Sequence, residues 1–282
     1  MEFQNVAVIG AGLMGSGIAY VAGVSGRNVT IVDQEQQFVD AGMAKIKDQI
    51  KDGISRGKLT AFEGEKLASR FSKTISVEEA VKSADLVIEA IYENLDAKKK
   101  IFTELSKFSN SNCVLASNTS TLSITEIASV VENPERVAGL HFFSPVAAMK
   151  LVEVIKGEKT ADTIMERLTT FSETIGKTPV QVVDSPGFIV NRIVIPLLNE
   201  AVKLLDDGIA TAEDIDKACV MGLNFPVGPL TLADFTGLDI ALAGLRTFEK
   251  AYGECYKPAD SLVKMVEAGK LGMKTKEGFY KY

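Results

Sequence analysis

Six residues close to the N-terminus, Gly10-Ala11-Gly12-Leu13-Met14-Gly15, have the spacing of a turn that lets backbone approach a phosphate. They follow an apolar β-branched run, VAVI at 6–9, and open a stretch of helical character. In such a turn Gly10 permits the tight bend, Gly12 leaves room for a pyrophosphate, and Gly15 lets the helix lie close on the strand. The phosphates then rest on N–H groups at the positive end of the helix. Glycine turns are common, so the spacing alone is a weak signal. It is strengthened by Asp33, which ends the next apolar run, VTIV at 29–32. A carboxylate there accepts the ribose hydroxyls of an adenosine and repels a 2′-phosphate. No arginine follows; Gln34, Glu35, Gln36 and Gln37 do. The implied ligand is NAD(H), in preference to NADP. Asp33 could instead cap the next helix, and the two roles are compatible.

The chain has one histidine, His141, in the stretch Gly139-Leu140-His141-Phe142-Phe143. A histidine at an apolar strand end is commonly a core residue with satisfied hydrogen bonds. Two features point instead to chemistry. Ligand crevices of open α/β sheets form at strand ends. Glu153 stands on the following run, LVEVI at 151–155, and a strand–loop–strand path returns it beside His141. A carboxylate there orients the imidazole and stabilises its charged form. Hydride transfer from an alcohol to NAD needs a base for the hydroxyl proton, and histidine titrates near neutral pH.

The elements that must position these residues alternate through the first two-thirds of the chain. Further β-branched runs are LVIEAI at 86–91, CVLAS at 113–117, VAGLHF at 137–142 and VQVV at 180–183. Most are apolar throughout, which fits strands buried on both faces. Helical segments are expected at 15–25, 34–56, 95–108, 124–131 and 161–175. Strands alternating with helices predict a doubly wound sheet. The pattern stops at Asp184-Ser185-Pro186-Gly187, a turn-forming cluster. A long amphipathic helix over 189–206, bent at Pro196, and three or four shorter helices follow. The expected fold is α/β: an N-terminal Rossmann-type NAD-binding domain over 1–185, and a helical C-terminal domain over 186–282 serving substrate binding and dimerisation.

Composition narrows the function classes. Of 282 residues, 46% are hydrophobic and 24% charged, ordinary for a globular protein. A net charge of −6 with no dense basic tract argues against nucleic acid as a partner. Three scattered cysteines, Cys113, Cys219 and Cys255, form no CxxC pair, so neither a disulfide framework nor a metal site is expected. No apolar stretch approaches the length of a bilayer span, and the N-terminus lacks the features of a signal or transit peptide. The expected location is the cytoplasm, away from membranes.

Over its whole length the chain resembles the L-3-hydroxyacyl-CoA dehydrogenase family, and within it the bacterial short-chain branch acting on 3-hydroxybutyryl-CoA. The resemblance rests on VIGAGLMGSGIA at Val8, EAIYENLDAKKKIF at Glu89, ASNTSTLSI at Ala116 and HFFSPVAAMKLVEVI at His141. It continues in DSPGFIVNRI at Asp184, GPLTLADFTGLD at Gly228 and KEGFY at Lys276. It implies that the family's catalytic His–Glu pair falls on His141 and Glu153. It assigns Ser120 to substrate and cofactor, and Asn191 to the acyl substrate. Glu93 and Lys98 match the nicotinamide side, and Lys274 matches a lysine near the cofactor. Ser144 stands where many relatives carry asparagine; it keeps a donor and an acceptor on a shorter arm, and the cofactor contact of that position passes to it. Lys51, Arg56 and Lys58, on the long helical excursion, would meet the phosphates of CoA. Read as residues alone, these groups also have plain roles: Ser120 in a turn, Asn191 in a helix cap, Glu93 and Lys98 as a surface pair, the lysines on a solvated face.

The activity so implied is interconversion of (S)-3-hydroxybutyryl-CoA and acetoacetyl-CoA with NAD, in fatty-acid or butyrate metabolism, by a homodimer or higher even oligomer. Two other readings fit the scaffold: a dehydrogenase of a sugar-derived 3-hydroxy acid, which would need no basic excursion, and a cofactor-binding protein without chemistry.

Overall fold

Burial on both faces dictates the sheet. In the computed structural model, which describes residues 3–282, the first unit spans Met1–Ser185 and the second Pro186–Tyr282. The first unit runs β1 (Asn5–Ile9), α1 (Leu13–Val24), β2 (Asn28–Val32), α2 (Gln36–Ser55), α3 (Ala61–Ala68), β3 (Phe71–Thr74) and α4 (Val77–Val81). It continues with β4 (Leu86–Glu89), α5 (Leu95–Phe108), β5 (Val114–Ser117), α6 (Ile124–Ala128), β6 (Val137–Phe142), β7 (Leu151–Lys156), α7 (Asp162–Thr174) and β8 (Thr178–Val183). All residues of β4, β5 and β6 are buried. Such strands need helices on both faces, and the chain supplies them.

The strand order is β3-β2-β1-β4-β5-β6-β7-β8. Strands β1 to β6 are mutually parallel, β7 runs antiparallel to β6, and β8 follows β7 in parallel. The order reverses between β1 and β4, so a crevice opens at their carboxyl ends. The seven strands expected from sequence are all present, and the doubly wound α/β architecture with a helical C-terminal unit is the observed one.

Three elements were not expected. β3 is an edge strand whose Ser72 and Lys73 face solvent, so it carries no apolar run. α3 begins with a reciprocal cap in which the Thr60 side chain accepts the Glu63 N–H and the Glu63 carboxylate accepts the Thr60 N–H, a pattern visible in the sequence. α4 is a five-residue helix capped by Ser76, too short to show a period.

The second unit holds α8 (Val190–Asp206), α9 (Ala212–Leu223), α10 (Pro229–Thr236), α11 (Leu238–Tyr252) and α12 (Asp260–Glu267). α8 is one continuous helix with Pro196 inside it. Its core gathers Ile195, Leu198, Val202, Leu230, Leu242, Leu245 and Phe248. Two buried carboxylates tie the tail to these helices. Asp216 accepts the N–H groups of Leu230 and Thr231 at the start of α10 and the Tyr280 hydroxyl. Asp234 accepts the N–H groups of Phe279 and Tyr280 and the Tyr282 hydroxyl. Among the described residues no helix is long and apolar enough to cross a membrane.

Candidate active site

The glycine turn has the geometry its spacing implied. Gly10 has φ of +105°, and a Cβ there would stand 2.5 Å from the Ala90 carbonyl oxygen after β4, so only glycine fits where the strand order reverses. A Cβ at Gly15 would collide with the Gly10 carbonyl oxygen. Gly12 is different: nothing in the protein lies within 4 Å of the place a Cβ would take. It caps α1 without a side chain, and no acidic residue stands in the first turn. An open approach to the positive end of a helix fits a pyrophosphate. Leu13 is exposed and Met14 half-buried beside it.

Asp33 directly follows β2 and is half-buried. Its Oδ2 accepts the Ala11 N–H at 2.7 Å and its Oδ1 the Gln34 N–H at 2.8 Å. It does not cap α2, whose N-cap is Glu35. Asp33, Gly10, Gly12, Ile75, Tyr92 and Ile101 line a cleft of about 560 Å³ at the carboxyl ends of the strands. Its size and its apolar walls, with Asp33 beside the glycine turn and Lys100 and Glu104 also on the lining, suit an adenosine.

His141 and Glu153 are direct register partners across the antiparallel β6–β7 pair. The His141 Nδ1 lies 2.7 Å from Glu153 Oε2, and both residues are buried. With the Nδ1 proton donated to the carboxylate, the tautomer that this network favours carries no proton on Nε2. The Phe143 ring packs against the imidazole, centroid to centroid 4.5 Å.

Glu93 organises the turn after β5. Its Oε1 accepts the hydroxyls of Thr119, Ser120 and Thr121 and the backbone N–H groups of Ser120 and Thr121. Burial alone would raise its pKa; the Lys98 ammonium and these hydrogen bonds outweigh that and hold it below the usual carboxylate value. Lys98 is not a surface residue. It is 1% exposed, donates to Glu89 at 2.7 Å and lies 3.4 Å from Glu93. Glu89, fully buried, also accepts the Ser117 hydroxyl and the Ile91 N–H. The plain reading of Glu93 and Lys98 as a surface pair is therefore overturned for Lys98, which faces inward onto Glu89, whereas Glu93 keeps an exposed side.

Glu89 and Asn118 were missed as members of this network. Asn118 Oδ1 accepts the Phe142 N–H and thereby ties the turn after β5 to the strand of His141. A carboxylate inside the apolar LVIEAI run was the signal available for Glu89, since a buried charge requires a partner. Asp184 accepts the Ser123 hydroxyl and the Thr125 N–H, a structural role at the end of the first unit.

Ser144 is exposed just past β6. Lys51 and Arg56 pair with Asp48 and Asp52 on an exposed helix face, and Lys58 is exposed beyond it. In the second unit Asn191 lies in the first turn of α8, and Lys274 pairs with Asp239.

The comparisons agree along the whole chain. Residues 5–185 match the family model of the 3-hydroxyacyl-CoA dehydrogenase NAD binding domain, and residues 187–282 that of the C-terminal domain. The chain is 43% identical over 283 residues to the probable 3-hydroxybutyryl-CoA dehydrogenase of Bacillus subtilis (strain 168), covering 100% of this chain and 98% of that protein. It is 42% identical to the 3-hydroxybutyryl-CoA dehydrogenase of Clostridioides difficile, with 99% of each covered. The crystal structure of the (S)-3-hydroxybutyryl-CoA dehydrogenase of Ralstonia eutropha superposes with a TM-score of 0.96 at 40% identity over 99% of both chains. Both halves of the chain match, in order and without a gap of consequence, and it belongs to the 3-hydroxyacyl-CoA dehydrogenase family, NAD-binding oxidoreductases that act on a CH–OH group.

Proposed function

We propose that the chain is an NAD-dependent (S)-3-hydroxybutyryl-CoA dehydrogenase of the cytoplasm, working in fatty-acid or butyrate metabolism. The observation that carries this reading is the buried His141–Glu153 pair at the end of a sheet that also presents an open glycine turn. Bound at that turn, NAD supplies the hydride acceptor. In oxidation His141 Nε2 takes the C3 hydroxyl proton; in reduction it returns it. Glu153 accepts the Nδ1–H throughout and stabilises the imidazolium. Ser120, in the turn that Glu93 orders, and Asn191 are proposed to hold substrate oxygens as charge develops. Glu93, Lys98, Ser144 and Lys274 are assigned to the nicotinamide side, and Lys51, Arg56 and Lys58 to the CoA phosphates. The physiological unit is proposed to be a homodimer or a larger even assembly.

Steady-state reduction of acetoacetyl-CoA, with NADH compared to NADPH, tests the reading. The wild type is expected to prefer NADH. His141→Asn is expected to bind NADH nearly normally and to lose about 10²- to 10⁴-fold in turnover, the usual worth of general acid–base catalysis. Turnover close to wild type in that variant would remove His141 from the mechanism.

A further inference from the structure

The strands that carry His141 and Glu153 are joined by residues 143–150, and that connection is gripped from two sides. On one side is Lys177, 8% exposed, the residue before β8. Its ammonium donates to the carbonyl oxygens of Val146 and, at 2.7 Å, of Met149. Both belong to a turn in which the N–H groups of Ala148 and Met149 donate to the Pro145 carbonyl. The Lys177 backbone is itself anchored, its N–H donating to the Ser172 carbonyl of α7.

On the other side is the helix of the glycine turn. Val146, 4% exposed, packs so closely on α1 that a Cβ at Gly17 would stand 2.9 Å from its Cβ and Cγ2. The connection also begins with Phe143, whose ring lies against the imidazole. A shift of this turn therefore moves His141 relative to α1.

An ammonium buried against neutral carbonyls is a costly arrangement, and burial lowers the pKa of Lys177 accordingly. An apolar side chain would fill the space but leave two inward carbonyls without a donor. The ammonium's several donors on one compact head suit two convergent carbonyls.

We propose that Lys177 is a positioning residue for proton transfer: by clamping the Val146–Met149 turn against α1 it fixes the His141 imidazole relative to the helix that carries the cofactor. The proposal rests on the reading of His141 as the proton-transferring group.

Two variants test it from opposite sides. Lys177→Met removes the donors at similar volume; Gly17→Ala pushes Val146 away from α1. Each is expected to lower kcat by about 10- to 100-fold, the effect of a misplacement of roughly 1 Å, while KM for NADH stays within about two-fold. The double variant is expected to lose little more than the worse single one, because both act through one turn. Since His141 is the one histidine in the chain, its Nδ1–H proton resonance can be followed alone. It is expected to broaden and exchange faster in both variants while the amide spectrum stays that of the folded protein. A folded variant with wild-type kcat and an unchanged resonance overturns the proposal. So does an equal loss of turnover and NADH affinity, which marks general loosening. Should Lys177→Met fail to fold, Gly17→Ala decides alone by the same criteria. A wild type that does not reduce acetoacetyl-CoA would remove the functional reading, and the resonance would still decide on the clamp.

Discussion

Asp33 accepts the Ala11 N–H through one oxygen and the Gln34 N–H through the other, so it holds the glycine turn as well as facing the cleft. Substitution can separate these tasks. Asp33→Ala removes the acceptor and the charge together. A hydrogen bond to a charged group is worth about 1.5–3 kcal/mol, so NADH should bind about 10- to 100-fold more weakly. The gap to NADPH should narrow, because repulsion of a 2′-phosphate is gone. Asp33→Asn keeps an acceptor for Ala11, and its main effect should be the narrowed gap. Fluorescence titration with both cofactors measures this; an unchanged preference in both variants would show that Asp33 is not the ribose ligand. At this scale the sequence was legible where a residue's partner lies on a neighbouring strand. His141 and Glu153 could be brought side by side because two apolar runs joined by a short connection allow a strand–loop–strand return; their direct register is what the structure adds. The burial of Lys98 is not legible in the sequence, because a lysine at a helix start ordinarily faces water and no local pattern encodes its ion pair with Glu89. Lys177 gave no signal, since its acceptors are backbone carbonyls 28 and 31 residues away.

Buried strands and amphipathic helices show in the sequence, whereas an edge strand and an irregular tail do not. The buried strands announced themselves through β-branched runs, whereas β3 is defined by its ladder with β2 and shows solvent-facing residues instead. The C-terminal tail is a similar case: it has no helical or strand pattern, yet Asp216 and Asp234 hold it on α9 and α10. Burial, with the adjacent Asp216 carboxylate accepting its proton, pushes the Tyr280 hydroxyl well above the usual tyrosine value. The unfolded chain releases that proton near its ordinary pKa, about 10. The folded chain retains it to higher pH, so the contribution is fully present below about pH 10 and lost as pH rises toward the folded value. Tyr280→Phe should cost about 1 kcal/mol at neutral pH, the net worth of one hydrogen bond. The difference in Tm between the two proteins should then shrink from pH 9 to pH 11.5. A difference that is constant over this range would mean that the hydroxyl titrates as it does in solvent.

For the whole molecule, the burial of apolar side chains in the helical unit bears on assembly. Much of the apolar content of the helical unit is used inside it: Ile195, Leu198, Val202, Leu230, Leu238, Leu242 and Leu245 are all buried in its own core. What remains outside is more selective. Ile193 is 64% exposed, Leu223 63%, Met221 78%, Phe235 52% and Ile240 53%, on α8, α9, α10 and α11. A helix turns only a stripe of about 100° toward its own core, and large apolar side chains left exposed on four helices are candidates for cover by a partner. Two-fold pairing is the commonest way to cover such a surface, because one patch then serves both copies. The homodimer proposed above should therefore appear in light scattering at micromolar concentration as twice the monomer mass. Ile193→Glu together with Ile240→Glu should shift the population toward monomer, since a desolvated carboxylate without a partner is strongly unfavourable at an interface. His141 and Glu153 belong to the other unit, so the His141 Nδ1–H resonance should survive in that double variant. A wild type that scatters as a monomer would refute the dimer, whereas a larger even assembly that the double variant breaks would place this surface at one of its interfaces.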